Sequence, residues 1–303
     1  MDGQLGPFDR ATHRRRRDRA AASVHEAEPI LAETAARLLD RLDDTTRRFD
    51  SALDLGGRHG LVAQALRERG IPFVVSADLS PAMARRAAGH GAAVAADEEA
   101  LPFAEATFDL VVSNLSLHWV NDLPGALIQI RRVLKPDGLF LASLWGLGTL
   151  GPLREALIAA EEEATGGASP RVSPFPDLRD CAGLLQRAGF ALPVADADTL
   201  TLAYASPFGL FADLRRLGET NAVAARSRRP LPRAVLASAL ARIGARGEVA
   251  LPFVVATLTG WAPHASQPKP LAPGSAQARL ASALGVTEQR AGEAPLAPPP
   301  PLR

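Results

Sequence analysis

The stretch S-A-L-D-L-G-G-R-H-G, residues 51–60, decides how the rest of the chain is read. A short apolar strand closes on the acidic Asp54 and breaks into a glycine-rich turn, after which Leu61, Val62, Ala65 and Leu66 recur at helical spacing. Gly56 and Gly60 let the backbone take positive φ and let a ligand approach without meeting a Cβ. Such a turn makes a nucleotide-sized hollow at the carboxyl end of a parallel strand. The middle glycine of a D-x-G-x-G-x-G pattern is here Arg58, and a side chain pointing to solvent is the placement that leaves the hollow open. Alone, the turn is also compatible with a purely structural strand-turn-helix, so its neighbours decide.

The next helix, 61–69, stops at Gly70, and Pro72 keeps it from continuing, so F-V-V-S-A at 73–77 reads as a buried parallel strand ending on Asp78. A carboxylate about 20 positions beyond the glycine turn is placed to accept hydrogen bonds from both hydroxyls of a ribose, because it offers acceptors only. Asp78 could instead cap the helix opened by Ser80 and Pro81. A third strand at 92–96 ends in Asp97 and Glu98, and a fourth at 108–113 leaves Asn114 at its end. A helix at 124–134 and a K-P-D-G turn at 135–138 return the chain to a fifth strand, 139–144. Three successive strands thus finish in polar side chains at one edge of a parallel sheet, where ligands sit in open α/β folds.

The flanks are plainer. Residues 8–22, F-D-R-A-T-H-R-R-R-R-D-R-A-A-A, form a basic, helix-prone arm, read either as a solvated helical face or as an arm that closes over a ligand or partner. Ile30, Leu31, Leu38, Leu39 and Leu42 make 29–42 an amphipathic helix. Beyond the fifth strand a Gly/Pro-rich lid or substrate loop surrounds a short helix at 153–164. A helix at 178–188 follows, then strand-like segments at 194–204 and 248–258 with a helical insertion between them, and an Ala/Pro-rich tail that reads as disordered. The expected division is a basic arm at 1–28, an α/β domain at 29–262 with insertions about 146–176 and 205–245, a docking segment at 263–285 and a tail at 286–303.

Composition narrows the function. The 34 Lys and Arg against 33 Asp and Glu leave a formal charge of +1, which gives no global field toward nucleic acid or membrane. An aromatic content of 5% leaves few stacking platforms for bases. The single cysteine, Cys181, excludes an internal disulfide and a multi-cysteine metal site. No apolar run reaches the roughly 18 residues of a membrane helix, and the start lacks the apolar core of a secretory signal. Asp2, Asp9 and Asp18 make it too acidic for a transit peptide. A soluble, cytoplasmic protein is expected.

Asp54 and Gly56, Asp78, Asp97, the L-P-F…F-D-L-V-V-S-N run and the L-K-P-D-G turn together resemble the class I S-adenosylmethionine-dependent methyltransferases. The resemblance implies a Rossmann-like α/β sheet with helices on both faces, two closing antiparallel strands and a helical insertion. It also implies a cofactor, S-adenosylmethionine, held by Asp54, by Gly56 and Gly60 at its methionine part, by Asp78 and Leu79 at its ribose, by Asp97 and Glu98 near its adenine, and by Asn114 and Leu115 beside the sulfonium. Asp213-Leu214, Gly218-Glu219, Asn221-Ala222 and Arg226, with Trp261, His264, Ser266-Gln267, Pro270 and Gly274-Ser275-Ala276, are similar to the bacterial relatives of mitochondrial complex I assembly factor 5. Phe8-Asp9-Arg10 fits the start of that group. The likeness implies a protein substrate, a complex I subunit, hydroxylated on an arginine, with the chain cytoplasmic and peripheral to the inner membrane through that partner. The O-methyltransferases of malonyl carrier protein share the sheet, and an assembly chaperone without catalysis is the remaining reading.

For chemistry, His118, four residues after Asn114, and the adjacent Trp119 are the candidates for a base or substrate contact. A histidine packed in the pocket wall is the alternative. The six histidines are scattered with no facial-triad spacing and no metal site, so hydroxylation rests on the resemblance alone.

Overall fold

The computed structural model describes residues 6–244, 247–268, 282, 285 and 286. The chain divides into two compact units, Met1–His264 and Ala265–Arg303. In the second, Gly285 donates its N–H to the Ser282 carbonyl. Most of the expected docking segment and nearly all of the tail lie outside the described residues.

The first unit is built on a seven-stranded sheet: β1 (Ser51–Leu55), β2 (Phe73–Asp78), β3 (Ala92–Ala95), β4 (Phe108–Asn114), β5 (Leu134–Trp145), β6 (Ala191–Tyr204) and β7 (Val249–Trp261), in the order β3-β2-β1-β4-β5-β7-β6. The first five pair in parallel, while β7 runs antiparallel to both β5 and β6. β1 and β4 are buried along their whole length, which is why they read as unbroken apolar runs. The expected K-P-D-G turn is absorbed into the start of β5, where Asp137 takes φ 62° and the register against β4 shifts between Phe108 and Leu110.

Helices α2 (Glu28–Leu39) and α3 (Leu61–Glu68) pack on one face, where Leu38, Leu66, Leu110 and Leu141 meet. On the other, α5 (Leu123–Val133) and α7 (Leu178–Arg187) cover Phe108, Phe140 and Leu258. Each such side chain contributes about 1.5–3 kcal/mol on burial. Local signals set the starts: Asp122 caps α5 by accepting the Gly125 N–H at 2.8 Å, and Ser80 caps α4 (Pro81–Ala87) by accepting that of Met83 at 3.1 Å.

Over the carboxyl edge of the sheet, α6 (Gly151–Thr165), α8 (Pro207–Arg216) and α9 (Arg233–Arg242) join the overhanging parts of β6 and β7 around a second cluster with Trp145, Leu153, Leu210 and Phe253. The basic arm belongs to the same edge. It forms α1 (Arg10–Ala20), capped by Asp9, whose carboxylate accepts the Thr12 N–H at 2.8 Å. The arm is solvated on one side, where Arg14, Arg15 and Arg19 are exposed, but its other side is packed, with His13 and Arg17 fully buried.

Cys181, in α7, sits in the core, where burial and then the fields of Asp180 and Asp177 push its thiol up to about 11. Ellman's reagent is therefore expected to label the native chain at least about 100-fold more slowly than the urea-unfolded chain. Rapid native labelling contradicts this packing.

Candidate active site

The first three strands place their terminal carboxylates at one edge, and the loop after β4 closes over them. Gly56 takes φ 70° in the turn after β1, where a Cβ would overlap the Ser116 hydroxyl. Gly60, at φ 91°, opens α3, where a Cβ would come within 3.1 Å of Ala87, so this glycine serves helix packing. Asp54 is wholly buried. Its Oδ2 accepts from Ser76 Oγ at 3.1 Å and from the Ala63 N–H at 3.2 Å, and its Oδ1 meets no donor. Burial outweighs these hydrogen bonds and pushes the carboxyl up to about 7.

Arg58 does not point to solvent. Its backbone sits at φ 49°, and its side chain, 3% exposed, turns into the edge. There it donates to the carbonyls of Asn114 at 2.9 Å and Leu115 at 2.7 Å, and to Glu219 Oε1 at 2.8 Å. Its acceptors explain the inward turn: two carbonyls at the end of β4 and a buried carboxylate make a fork-shaped receptor for a guanidinium. Burial and the nearby Arg17 lower its pKa to about 10, leaving it protonated near neutrality.

Glu219 gathers the rest of the cluster. Its Oε2 accepts from Trp119 Nε1 at 2.7 Å and lies 2.9 Å from His118 Nε2. The Trp145 N–H points at His118 Nδ1 across 3.4 Å, so the proton sits on Nε2 and both ring nitrogens are engaged. Burial lowers His118 and keeps it neutral. For Glu219 burial acts upward, but the hydrogen bond from His118 and the charges of Arg58 and Arg17 outweigh it and hold the carboxylate at about 2.

The remaining carboxylates meet the arm. Asp78 Oδ1 accepts from the Ser80 N–H at 2.8 Å and Oδ2 from the Arg58 N–H at 2.9 Å, with Arg17 Nη1 3.2 Å from Oδ2. Arg17 also donates to Ser116 Oγ at 3.1 Å, and Ser116 donates to Glu98 at 3.0 Å. Arg10 pairs with Asp97 at 2.6 Å and Glu98 at 2.5 Å. Burial opposes these charges, yet the pairing raises Arg10 and lowers Glu98. Asn114 turns its amide away, donating to the Leu31 carbonyl and accepting from Ser143, while Leu115 is core and Leu79 is half-buried.

Asp54, Gly56, Asp78, Glu98 and Leu115 thus share one edge with His118 and Trp119, and Asp97 joins them at its rim through Arg10. Arg17 and Ser116 entered through no sequence pattern. Glu219, 101 positions from His118, was visible only in the resemblance.

Beside this cluster lies a cavity of about 200 Å³ whose lining includes Trp145, Leu153, Phe175, Phe211, Phe253 and the Glu219 carboxylate. Among the described residues, no group of three or more His, Cys, Asp or Glu side chains is placed to hold a metal ion.

A methyltransferase-domain family model matches residues 53–142. The YcgJ protein of Bacillus subtilis superposes with a TM-score of 0.54 over 77% of this chain and 99% of its own at 16% identity, a likeness of fold. With the strand order above, these define a class I S-adenosylmethionine-dependent methyltransferase fold, and the chain is an enzyme of that superfamily. It belongs to the family of the mitochondrial arginine-hydroxylase NDUFAF5. The Homo sapiens member is 40% identical over 90% of this chain and 81% of its own length. The malonyl-[acyl-carrier protein] O-methyltransferase of Halorhodospira halophila is 36% identical over 75% of this chain and 77% of its own.

An S-adenosylmethionine molecule fits this edge only in part. Asp54 Oδ1, a buried acceptor without a donor, suits the ammonium of the methionine part. The adenosine part does not fit, since Arg17 and Arg10 already hold Asp78, Asp97 and Glu98.

Proposed function

We propose that the chain hydroxylates an arginine side chain of a protein substrate, a subunit of respiratory complex I under assembly. S-adenosylmethionine is the cofactor we assign to this edge, through Asp54 and Gly56 as the arm stands and through Asp78, Leu79, Asp97 and Glu98 once Arg17 and Arg10 leave them, while Gly60, Asn114 and Leu115 build the wall of the site rather than its polar contacts. The observation that carries the substrate reading is Glu219 in the wall of a cavity rich in apolar side chains, whose lining also includes Arg171 and Arg215. An arginine has the matching form, an apolar stem with a forked cationic head. Arg58, His118 and Trp119 occupy three acceptor positions of Glu219, leaving one of about four open for a substrate N–H. His118, neutral with both nitrogens engaged, then acts as a positioning residue for Glu219. The arginine-hydroxylase name of relatives at about 40% identity supports the same substrate.

The proposed place of work is the cytoplasm, with the partner bringing the chain to the inner membrane. Among the described residues no helix is long and apolar enough to cross a membrane.

Mass spectrometry of complex I from a deletion strain tests the reading. One arginine is expected to lose the mass of a single oxygen atom when the gene is absent and to regain it on complementation. A lost methyl ester would point instead to O-methyl transfer, and poor assembly with no mass change to a chaperone.

A further inference from the structure

We infer that α1 is a displaceable plug: its Arg10 and Arg17 occupy the carboxylates of the nucleoside hollow, so that cofactor entry requires the arm to leave. The inference rests on the assignment of S-adenosylmethionine to that hollow.

The occupancy is direct. Arg17 is 0% exposed and lies 3.2 Å from the carboxylate at the end of β2, while Arg10 bridges the pair that follows β3. A ribose hydroxyl and a guanidinium compete for the same acceptor atoms of Asp78. Two of those acceptor positions are already taken by the N–H groups of Ser80 and Arg58. With Arg17 in place only one of about four positions remains, and a ribose offering both of its hydroxyls needs two, so bound arginine and bound ribose exclude one another at Asp78.

The docked arm is also incompletely satisfied, which distinguishes a plug from a clasp. Of the Arg17 guanidinium only Nη1 is engaged, and its buried Nε and Nη2 have no partner. Both ring nitrogens of His13, stacked on Trp119 at 4.5 Å, are buried without a partner as well. Buried donors left unmade carry a desolvation cost that undocking removes. By contrast, the start of the arm is well held. Phe8 bridges Val223 in antiparallel fashion, flanked by hydrogen bonds from Asp9 N–H to the Ala222 carbonyl and from Ala224 N–H to that of Pro7. Asp9 in turn pairs with Arg226 at 3.0 Å. Release of the plug therefore swings α1 out by breaking this bridge, with residues 21–23 as the pivot.

The bridge supplies the test. Phe8 and Val223 form a non-hydrogen-bonded antiparallel pair, whose Cα spacing of about 4.5 Å suits a disulfide. The full chain carrying Phe8→Cys and Val223→Cys is titrated calorimetrically with S-adenosylmethionine, oxidised and then reduced. The oxidised form is expected to bind at least tenfold more weakly than the same protein reduced. In the unlocked chain, Arg10→Gln with Arg17→Gln is expected to bind at least tenfold more tightly than the unsubstituted protein. Equal or tighter binding by the oxidised form overturns the plug, because an arm that covers bound cofactor would then be favoured, and leaves the cofactor assignment standing. No binding by any form overturns the cofactor assignment, and the plug with it.

Discussion

Glu219→Ala is expected to destabilise the chain by about 3–5 kcal/mol, the cost of stranding a buried charge by removing its partner. The substitution takes an acceptor from the Arg58 guanidinium, from His118 Nε2 and from the Trp119 indole, none of which can reach water where it stands. Against a total stability of about 5–15 kcal/mol this is a large part of the margin. Glu219→Gln keeps an acceptor of the same shape but leaves the Arg58 charge uncompensated. Removing both charges, by Arg58→Gly with Glu219→Gln, is expected to be less destabilising than Glu219→Gln alone, since glycine also relieves the left-handed backbone at φ 49°. Urea denaturation of the three variants measures this. A Glu219→Ala chain within about 1 kcal/mol of the parent contradicts the cluster as described. The pH dependence has a definite sign too. The carboxylate is held at about 2 against an ordinary 4.5, so its contribution is complete above pH 4.5 and is lost as pH falls toward 2.

Asp54→Asn is expected to act in the opposite direction. Burial raises the Asp54 carboxyl from 3.8 to about 7, so the folded chain holds a proton that the unfolded chain has released. Between those values each pH unit lowers stability by about 1.4 kcal/mol, and the loss reaches about 4 kcal/mol by pH 7. Asparagine carries no such penalty. The stability difference between Asp54→Asn and the parent should therefore rise from pH 4 to pH 7 and then level off, measured as urea midpoints across that range. A difference independent of pH would mean that Asp54 is solvated or paired in the folded chain. Because Asp54 Oδ1 is the buried acceptor without a donor, a bound ammonium should flatten the slope.

The sheet and the position of its ligand edge could be read from the chain because they follow from local rules. Buried parallel strands are continuous apolar runs, and Asp54, Asp78, Asp97 and Asn114 fall where those runs stop. The orientation of Arg58 could not be read this way. Its acceptors lie 56, 57 and 161 positions away, and no local preference sends a cation inward. The same holds for the arm. Of the four consecutive arginines Arg14 and Arg15 do stay exposed, and Arg17 turns inward because Asp78, which the fold alone brings near, gives it a counter-charge, as Glu98 does for Arg10 on the same helix. The expected strands at 194–204 and 248–258 each fell short at one end, the start of β6 and the end of β7. In β6 half-buried and exposed residues alternate loosely, and β7 continues to Trp261 in antiparallel pairing with β5.

β6 and β7 remain paired from Ala191 with Trp261 to Tyr204 with Val249, but β5 accompanies β7 only as far as Val255. The outer half of this ribbon is a cantilever: it carries Phe253 into the cavity wall, and α8 and α9 hang in the loop that joins its two strands. Lineages could therefore lengthen or shorten that loop on either side of residues 219–223, which hold Arg58, His118 and the arm, without disturbing the anchored half of the ribbon.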